Sequence, residues 1–258
     1  MVSDSYVEVE LDGCVHSGLL YFNPNVGNED PLSGSGTHIE VSPNFSVTGG
    51  IAGVCAPSGG SLLITGCSNS GSLFPTSGIV GGVAGWIATR TRIIRSDNSG
   101  LIYERDSSMP VSTGSGSGYV VGGGIVGGVS SDAENCLVEF CHNSGDVAGS
   151  SLAAMPLPCA GGLVGRYGGP DIFVHCKNSG HIRNYPVSGS ADLGGYFSGD
   201  KAAGKFTSCA AGGYVARGGR WVAADASWAS YAFGESNPGS YLQNCTMWDG
   251  HSKLPWED

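Results

Sequence analysis

One short pattern returns along this chain, and its repetition limits the possible folds more than any other feature. Residues 159–182, CAGGLVGRYGGPDIFVHCKNSGHI, hold a Gly-Gly-aliphatic element that is followed by a cysteine and Asn-Ser-Gly. The Gly-Gly element recurs at residues 49–53, 81–85, 123–127 and 161–165, with a worn copy at 212–216. Self-similarity of this kind is typical of folds in which one structural unit is stacked on the next.

The cysteine element keeps a strict register with the apolar residues around it. Its copies are CSNSGSL (67–73), SDNSGLI (96–102), CHNSGDV (141–147) and CKNSGHI (176–182), and weaker copies begin at Cys14 and Cys245. The residues three positions before the cysteine are all apolar: Leu11, Ile64, Ile93, Val138, Phe173 and Leu242. Six positions after it stand Leu20, Leu73, Ile102, Val147 and Ile182. This register predicts that each copy lies directly on its counterpart.

The repeated segments are too rich in glycine to be helices, because each glycine costs about 1 kcal/mol relative to alanine in a helix. The chain has 45 glycines among 258 residues, and its short aliphatic runs are bounded by Gly and Asn, as strands and turns are. We therefore predict an all-β fold, a parallel β-solenoid (β-helix) of about five to six rungs. It forms one domain, 1–258, with an irregular N-terminal rung and loop (1–48), core repeats (49–182) and a degenerate repeat with an aromatic-rich C-terminal cap (183–258).

Stacking gives the recurring polar residues a structural role. Asn69, Asn98, Asn143 and Asn178 are expected to form a hydrogen-bonded ladder at a corner, where glycine turns the chain. The Gly-Gly pairs are expected where side chains would collide with the next segment. The apolar residue at position minus three and the cysteine have opposite strand parity, so a bend or bulge lies between them or the cysteine does not point inward.

The cysteines of the repeat are predicted to form a second ladder, made by Cys67, Cys141 and Cys176. Rung spacing falls within the range that a disulfide accepts, so Cys141 and Cys176 are either bridged or stacked as free apolar thiols. Four further cysteines lie off the pattern: Cys55, Cys136, Cys159 and Cys209. No C-x-x-C or C-x-x-H spacing occurs, so neither a metal site nor a cofactor is predicted.

Charge and hydropathy exclude two classes of partner. The formal net charge is −10 and the 12 basic residues are scattered, which argues against nucleic-acid binding. No run of 18 apolar residues occurs, so no membrane span is predicted. The first residues do not read as a signal peptide. Two N-x-S/T sites, at Asn44 and Asn244, and nine cysteines favour the mature segment of an exported protein, located outside the cell or on its surface.

The quoted elements, GG-[IVL]-[AV]-G followed by an aliphatic residue and C-x-N-S-G, resemble the GLUG-motif repeat of large bacterial surface and secreted proteins. The resemblance covers residues 49–182 well, and 7–20 and 209–252 loosely. It implies a β-solenoid, a surface location and an adhesin-like role, and it carries no catalytic residues. Ser96 departs from the motif by replacing the cysteine, and the final Gly-Gly to cysteine interval grows to 32 residues.

The tail differs from the repeats because residues 183–258 hold 12 of the 23 aromatic residues. An aromatic cap would cover the open end of the stack, whose bare strands would otherwise pair with another molecule. The functional interpretation is a surface on which exposed rings stack against a glycan or a protein partner. Its candidate residues are Trp221, Trp228, Tyr231 and Trp248.

We therefore predict a non-enzymatic adhesion or binding protein, whose partner is a protein or glycan at a cell surface. One alternative is a carbohydrate-active enzyme on the same scaffold, a hydrolase or lyase, which needs converging carboxylates. Another is a fibre subunit that assembles end to end, or a homo-oligomer. Direct stacking also places Asp146 beside His181, as an exposed cross-strand pair or an acid–base pair. The carboxylates available for catalysis are Asp132, Glu134, Glu139, Asp146, Asp171 and Asp192.

Overall fold

The computed structural model describes residues 8–22, 46–57, 60–75, 78–102, 120–150, 160–185, 194–199, 204–217, 220–225, 227–234 and 241–257. In these ranges the protein is all-β and its sheets are built mainly by parallel pairing, consistent with a β-helix-like fold. The helical element in these ranges is a single 3-10 turn, Trp228–Tyr231. Asn44 and Cys159, which the sequence analysis names, lie outside the described residues.

Two seven-stranded parallel sheets carry the cysteine element, and we name them sheet 1 and sheet 2. In both, each strand pairs with its equivalents in the neighbouring copies, so that Ile93 lies between Ile64 and Val138. Sheet 1 consists of Glu8–Asp12, Ser61–Thr65, Thr91–Ile94, Leu137–Glu139, Phe173–Val174, Phe206–Thr207 and Leu242–Gln243. Sheet 2 consists of Val15–His16, Ser68–Asn69, Asp97–Asn98, His142–Asn143, Lys177–Asn178, Ala210–Ala211 and Thr246–Met247.

Two further sheets, which we name sheet 3 and sheet 4, contain the strands on either side of Gly-Gly and several strands that follow Asn-Ser-Gly. Sheet 4 holds the strands that follow Gly-Gly: Ala52–Cys55, Ala84–Ile87, Val126–Val129 and Val164–Tyr167. Sheet 3 holds Ser46–Gly49, Gly78–Gly81, Val120–Gly123, Ala160–Gly161, Val147–Ser150, His181–Tyr185, Tyr214–Arg217 and Arg220–Ala223. Leu19–Phe22 and Ser72–Pro75 form a parallel pair that isolated bridges continue through Ile102 to Val147. The strand Arg220–Ala223 pairs antiparallel with Tyr214–Arg217.

A sharp corner between sheets 1 and 2 resolves the parity of the cysteine element. The residue immediately before the cysteine position has a φ of 48° to 60° in every copy: Gly13, Gly66, Arg95, Phe140, His175, Ser208 and Asn244. This left-handed conformation costs a non-glycine residue about 1–2 kcal/mol, so the stacked frame imposes it. Because the chain turns there, Ile64 and Cys67 both point into the interior, at 0% and 1% exposure. Of the two alternatives that the sequence left open, the structure shows the bend, with the cysteine pointing inward.

The cysteines form a buried column of thiols inside this corner. Each thiol donates to the carbonyl of the apolar residue in the preceding copy, as in Cys176 Sγ to Val138 O at 3.3 Å and Cys67 Sγ to Leu11 O at 3.2 Å. All eight described cysteines are free, so Cys141 and Cys176 are stacked and unbridged. Burial raises the pKa of both thiols well above its ordinary value.

The tail contains a copy of the repeat that the sequence analysis missed. Cys209, predicted to lie off the pattern, follows Phe206 in sheet 1 and donates to Phe173 O at 3.8 Å, as the other cysteines do in their copies. Six residues later, Val215 pairs with Ile182. Sheets 1 and 2 therefore contain seven stacked strands each, more than the five to six rungs expected.

The assignment of residues 212–216 as a worn Gly-Gly element is wrong. Ala211 pairs with Asn178 and Tyr214 with His181, so the intervening glycines occupy the positions of Ser-Gly in Asn-Ser-Gly. The Gly-Gly position of this copy begins at Gly195, which bridges to Gly161. In the last copy, Phe233 bridges to Ser198 in the same way. The 32-residue interval was counted from Gly213 to Cys245. Gly213 belongs to an Asn-Ser-Gly position, so this interval does not correspond to the Gly-Gly to cysteine interval of the other copies.

Candidate binding surface

The asparagines of the repeat form one continuous column in the interior. Asn69 Nδ2 donates to Asn98 Oδ1 at 2.7 Å, and Asn98 Nδ2 to Asn143 Oδ1 at 2.7 Å. Asn143 Nδ2 then donates to Asn178 Oδ1 at 2.8 Å. His16 begins the column, with its Nδ1 2.7 Å from Asn69 Oδ1. Because all four amides are fully buried, this column belongs to the structural frame and offers no surface to a ligand.

The Gly-Gly pairs recur because the asparagine column leaves no room for a side chain. A Cβ built on Gly124 would lie 2.3 Å from Cγ of Asn143, and one on Gly82 would lie 2.4 Å from Cγ of Asn98. Gly162 has the same relation to Asn178, at 2.4 Å. The second glycine of each pair therefore permits the close approach of the asparagine in its own copy.

An exposed aromatic patch lies on the outer side of sheet 3. We name it the Trp221 patch, and it consists of Asp146, His181, Arg183, Tyr214 and Trp221. His181 and Tyr214 are paired residues on adjacent parallel strands, whereas Trp221 lies on the antiparallel strand that ends the sheet. Tyr214 is 43% exposed and Trp221 is 51% exposed, unusual values for large rings held on paired strands.

The side chains of the Trp221 patch contact one another at short range. The ring of His181 stacks on Tyr214 with centroids 5.1 Å apart, and Trp221 meets it edge-on at 5.7 Å. Asp146 Oδ1 lies 2.9 Å from His181 Nδ1 and also accepts the backbone N–H of His181 at 3.0 Å. The Arg183 guanidinium lies 5.9 Å from the centre of a Trp221 ring. The patch therefore combines aromatic faces with a carboxylate acceptor, an imidazole and the Arg183 guanidinium, a combination suited to a ring with hydroxyl groups.

The other predicted ligand-binding aromatics are not part of this patch. Trp228 and Tyr231 lie in the 3-10 turn and pack half-buried against the main core, where Trp228 meets Phe197 edge-on at 5.8 Å. Trp248 is only 7% exposed, and its indole Nε1 donates to Ser252 O at 2.7 Å. Its assignment as an exposed binding residue is wrong. Residues 248–257 pack against sheet 2, and Trp248 is buried there against Ala210 and Leu254.

Of the patch, sequence reasoning found Trp221 and the contact between Asp146 and His181. Tyr214 was missed because its copy of the repeat was not recognised. Once Cys209 is aligned with Cys176, Tyr214 falls at the position of His181, so the register itself held the missing signal.

Comparison with known proteins adds nothing to this picture. No family model matches the chain, and no curated protein or solved structure matches it either. The GLUG resemblance stays a prediction. No helix in the described ranges has the length and apolar character needed to cross a membrane.

The carboxylates considered for catalysis have separate partners in the structure. Asp146 contacts His181, Glu139 lies 3.6 Å from His175, and Asp171 accepts the backbone N–H of Lys205. Asp132 and Glu134 are exposed, and Asp192 lies outside the described residues. Within the described ranges, no three His, Cys, Asp or Glu side chains converge to hold a metal ion. A carbohydrate-active enzyme stays an alternative prediction without a specific observation in its favour.

Proposed function

We propose that this chain is a non-enzymatic glycan-binding protein, secreted or displayed on a cell surface, that adheres through the Trp221 patch. The observation that carries the proposal is the pair of exposed rings, Tyr214 and Trp221, beside the Asp146–His181 contact. The rings would stack on the apolar face of a sugar while the carboxylate and imidazole bind its hydroxyl groups.

The proposed scaffold is a parallel β-solenoid of the GLUG type. Its support is the order of sheets 1 and 2, in which consecutive strands come from consecutive copies of the motif. Stacking of this kind fixes side chains on adjacent strands at about 4.8 Å spacing. A rigid row of this kind suits a binding surface, because little conformational freedom is lost when the ligand binds.

A screen of immobilised glycans with the full chain tests the proposal. Binding to at least one neutral glycan is expected, and the Trp221→Ala variant should weaken it about tenfold or more, since aromatic anchors carry much of the affinity of an interface. Met247→Ala is the matched control, because this apolar side chain is 45% exposed near the same end of the molecule. Equal binding by wild type and Trp221→Ala would reject the patch as the binding site.

End-to-end assembly is the second candidate function. Each outermost strand of sheets 1 and 2 has a partner on one side only within the described sheets. Val9 and Val15, on the first strands, are 51% and 70% exposed, and Met247, on a last strand, is exposed as well. Unpaired parallel edges with apolar side chains favour association with another copy. Sedimentation velocity should then detect growing oligomers that Val15→Lys abolishes, whereas a monomer at every concentration would exclude assembly.

A further inference from the structure

A second site opens on another face of the molecule, beside the C-terminal residues. Residues 248–257, which we name the C-terminal hook, fold back along the outer side of sheet 2. Their contacts leave an open cleft of about 390 Å³ between the hook and the corner that joins sheets 1 and 2. Its walls come from the second, third and fourth Gly-Gly copies and from Trp256 and Glu257.

One wall of the cleft is a row of planar rings. Phe140 and His175 occupy equivalent corner positions in adjacent copies and stack with centroids 4.9 Å apart and planes 22° apart. Trp256 of the hook continues the row, with its ring 5.5 Å from His175 and 29° from coplanar. Because the rings cover one another's faces, the row gives the cleft an apolar wall made of ring edges.

The cleft also carries cations, and a carboxylate of the chain itself already occupies part of it. Glu257 Oε1 accepts a hydrogen bond from Lys177 Nζ, and Glu257 Oε2 accepts the backbone N–H of Leu254 at 2.8 Å. Arg95 lies in the same cleft, with its guanidinium 5.8 Å from the centre of the Phe140 ring. It takes part in none of the ion pairs among the described residues. The cleft thus holds a second cation without a carboxylate partner.

Two polar groups complete the cleft. Asp97 Oδ1 accepts the backbone N–H of His142 at 3.1 Å, and His142 Nε2 lies 2.9 Å from Ser179 Oγ. Burial, followed by the charge of Lys177, lowers the pKa of His142 to about 4. The imidazole is therefore neutral near pH 7 and can bind a hydroxyl group without adding charge.

We infer that this cleft binds an acidic sugar, with the sugar carboxylate on Arg95 and its ring against the Phe140–His175–Trp256 row. Glu257 marks the kind of anion that the cleft accepts, because it already bonds to Lys177 there. Sequence reasoning found no basic groove for acidic sugars. The cleft is not a basic groove overall, because Asp97 and Glu257 line it together with Arg95 and Lys177. It leaves no run of charge in the sequence, because these residues come from different copies and from the hook. This site is separate from the Trp221 patch and does not depend on it.

Calorimetric titration of the full chain with trigalacturonate tests the inference. Binding is expected at low salt, and the fully methyl-esterified trisaccharide, which has no charge, should bind at least about tenfold more weakly. Arg95→Gln should weaken trigalacturonate binding about tenfold, and Arg95→Lys should restore part of it. Arg92→Gln is the control, because Arg92 is exposed on the strand that immediately precedes Arg95 but does not line the cleft. Glu257→Gln should tighten binding severalfold by releasing Lys177.

Several outcomes would overturn the inference. They are equal affinity for the esterified sugar, equal losses in Arg95→Gln and Arg92→Gln, or a loss in Trp221→Ala, which would assign the ligand to the patch. Because the hook occupies its own seat in the wild type, a peptide with the sequence of residues 251–258 is titrated into the Trp256→Ala/Glu257→Gln variant. If the peptide binds that variant and trigalacturonate binds neither the wild type nor Glu257→Gln, the cleft is only the seat of the hook. Thermal unfolding of each variant checks that the fold is intact.

Discussion

The asparagine copies and the tail copies fill the same interior position in two different ways. In the asparagine copies, the second glycine of Gly-Gly approaches a buried asparagine, as Gly162 does Asn178. In the next copy, Tyr196 stands at the position of Gly162, and Ala211 stands at the position of Asn178. Glycine thus occupies this position in the copies that carry the asparagine, beside both the asparagine and a backbone carbonyl of the next copy. A large residue occupies it in the copy where alanine replaces the asparagine.

The replacement of glycine by tyrosine and of asparagine by alanine also changes which interactions stabilise the interior. The asparagine column ends at Asn178, whose Nδ2 donates to the backbone carbonyls of Gly180 at 3.4 Å and Gly212 at 3.5 Å. Beyond it the core becomes aromatic, since Phe206 stacks on Phe173 at 5.2 Å and on Phe197 at 5.1 Å. Hydrogen bonds specify the first region and ring packing specifies the second, on one continuous set of sheets.

The largest effect is expected from a methyl group placed against the asparagine column. In Gly124→Ala, the new Cβ would lie 2.1 Å from the Gly162 carbonyl oxygen and 2.3 Å from Cγ of Asn143. Because both neighbours are held in the stack, we expect a loss of about 3 kcal/mol or more in the free energy of unfolding, measured in urea. Gly168→Ala is the control, since its nearest neighbour would lie at 3.5 Å. A Gly124→Ala loss under about 1 kcal/mol would contradict the steric link.

Removing one amide from the column should have the next largest effect. Asn143→Ala removes one of the two acceptors of Asn98 Nδ2, which keeps the Gly100 carbonyl, and it removes the side-chain donor to Asn178 Oδ1. Both groups lie in the buried interior. We expect a loss of about 2–4 kcal/mol, since each unsatisfied buried group costs about 1–3 kcal/mol. Ser144→Ala, at the exposed neighbouring position, should cost far less. Similar losses in the two variants would mean that the column adds little to stability.

The asparagine region was predictable from the sequence because similar residues recur at the same position in each of its copies. Ile64, Ile93 and Val138 pair as their spacing required, and so do Leu73, Ile102 and Val147. The tail was misread because Gly212 and Gly213 imitate Gly-Gly while Tyr196 conceals the true position. A motif search looks for residue types, whereas stacking requires only that the side chains of a copy fit together. The tail copy therefore lost the sequence motif but kept its position in the stack.

The two candidate sites were predictable only in part, for a related reason. Asp146 and His181 follow from the register alone, because they occupy the same position in adjacent copies of the repeat. The cleft does not, because it depends on the irregular hook, whose Trp256 and Glu257 dock on distant copies. Docking of this kind is set by three-dimensional complementarity and leaves no periodic trace in the sequence.

Acid should lower the free energy of unfolding through His142, which lies beside the C-terminal hook in one of the asparagine copies. Burial and Lys177 lower its pKa to about 4, with Glu257 acting in the opposite direction, whereas the unfolded chain takes up this proton near pH 6.5. The free energy of unfolding should therefore fall as the pH drops from 6.5 towards 4.5, by on the order of 2–3 kcal/mol. Burial raises the pKa of Asp97, which opposes this loss only near the acid end of the window. His142→Gln should flatten the slope, and His251→Gln, at an exposed position, should leave it unchanged.

The smallest effect, and the one that links the two regions to function, is expected at Tyr196. Its ring fills the position vacated by glycine, and its hydroxyl donates to Val222 O at 2.8 Å. Val222 adjoins Trp221 on the strand that ends sheet 3, so this bond ties the tail interior to the Trp221 patch. Tyr196→Phe keeps the ring and removes the bond, which should cost about 1 kcal/mol of stability.

The same change should loosen the strand that presents Trp221 and weaken glycan binding about two- to threefold, without touching the binding surface itself. Tyr167→Phe is the control, because it removes another buried tyrosine hydroxyl, which accepts the Ile172 N–H and donates to the Pro170 carbonyl beside sheet 4. If Tyr196→Phe and Tyr167→Phe lower stability alike and neither changes glycan affinity, then the exchange of glycine for tyrosine serves packing alone. If only Tyr196→Phe lowers affinity, the tyrosine that replaces glycine in this copy also holds the strand of Trp221 in position for binding.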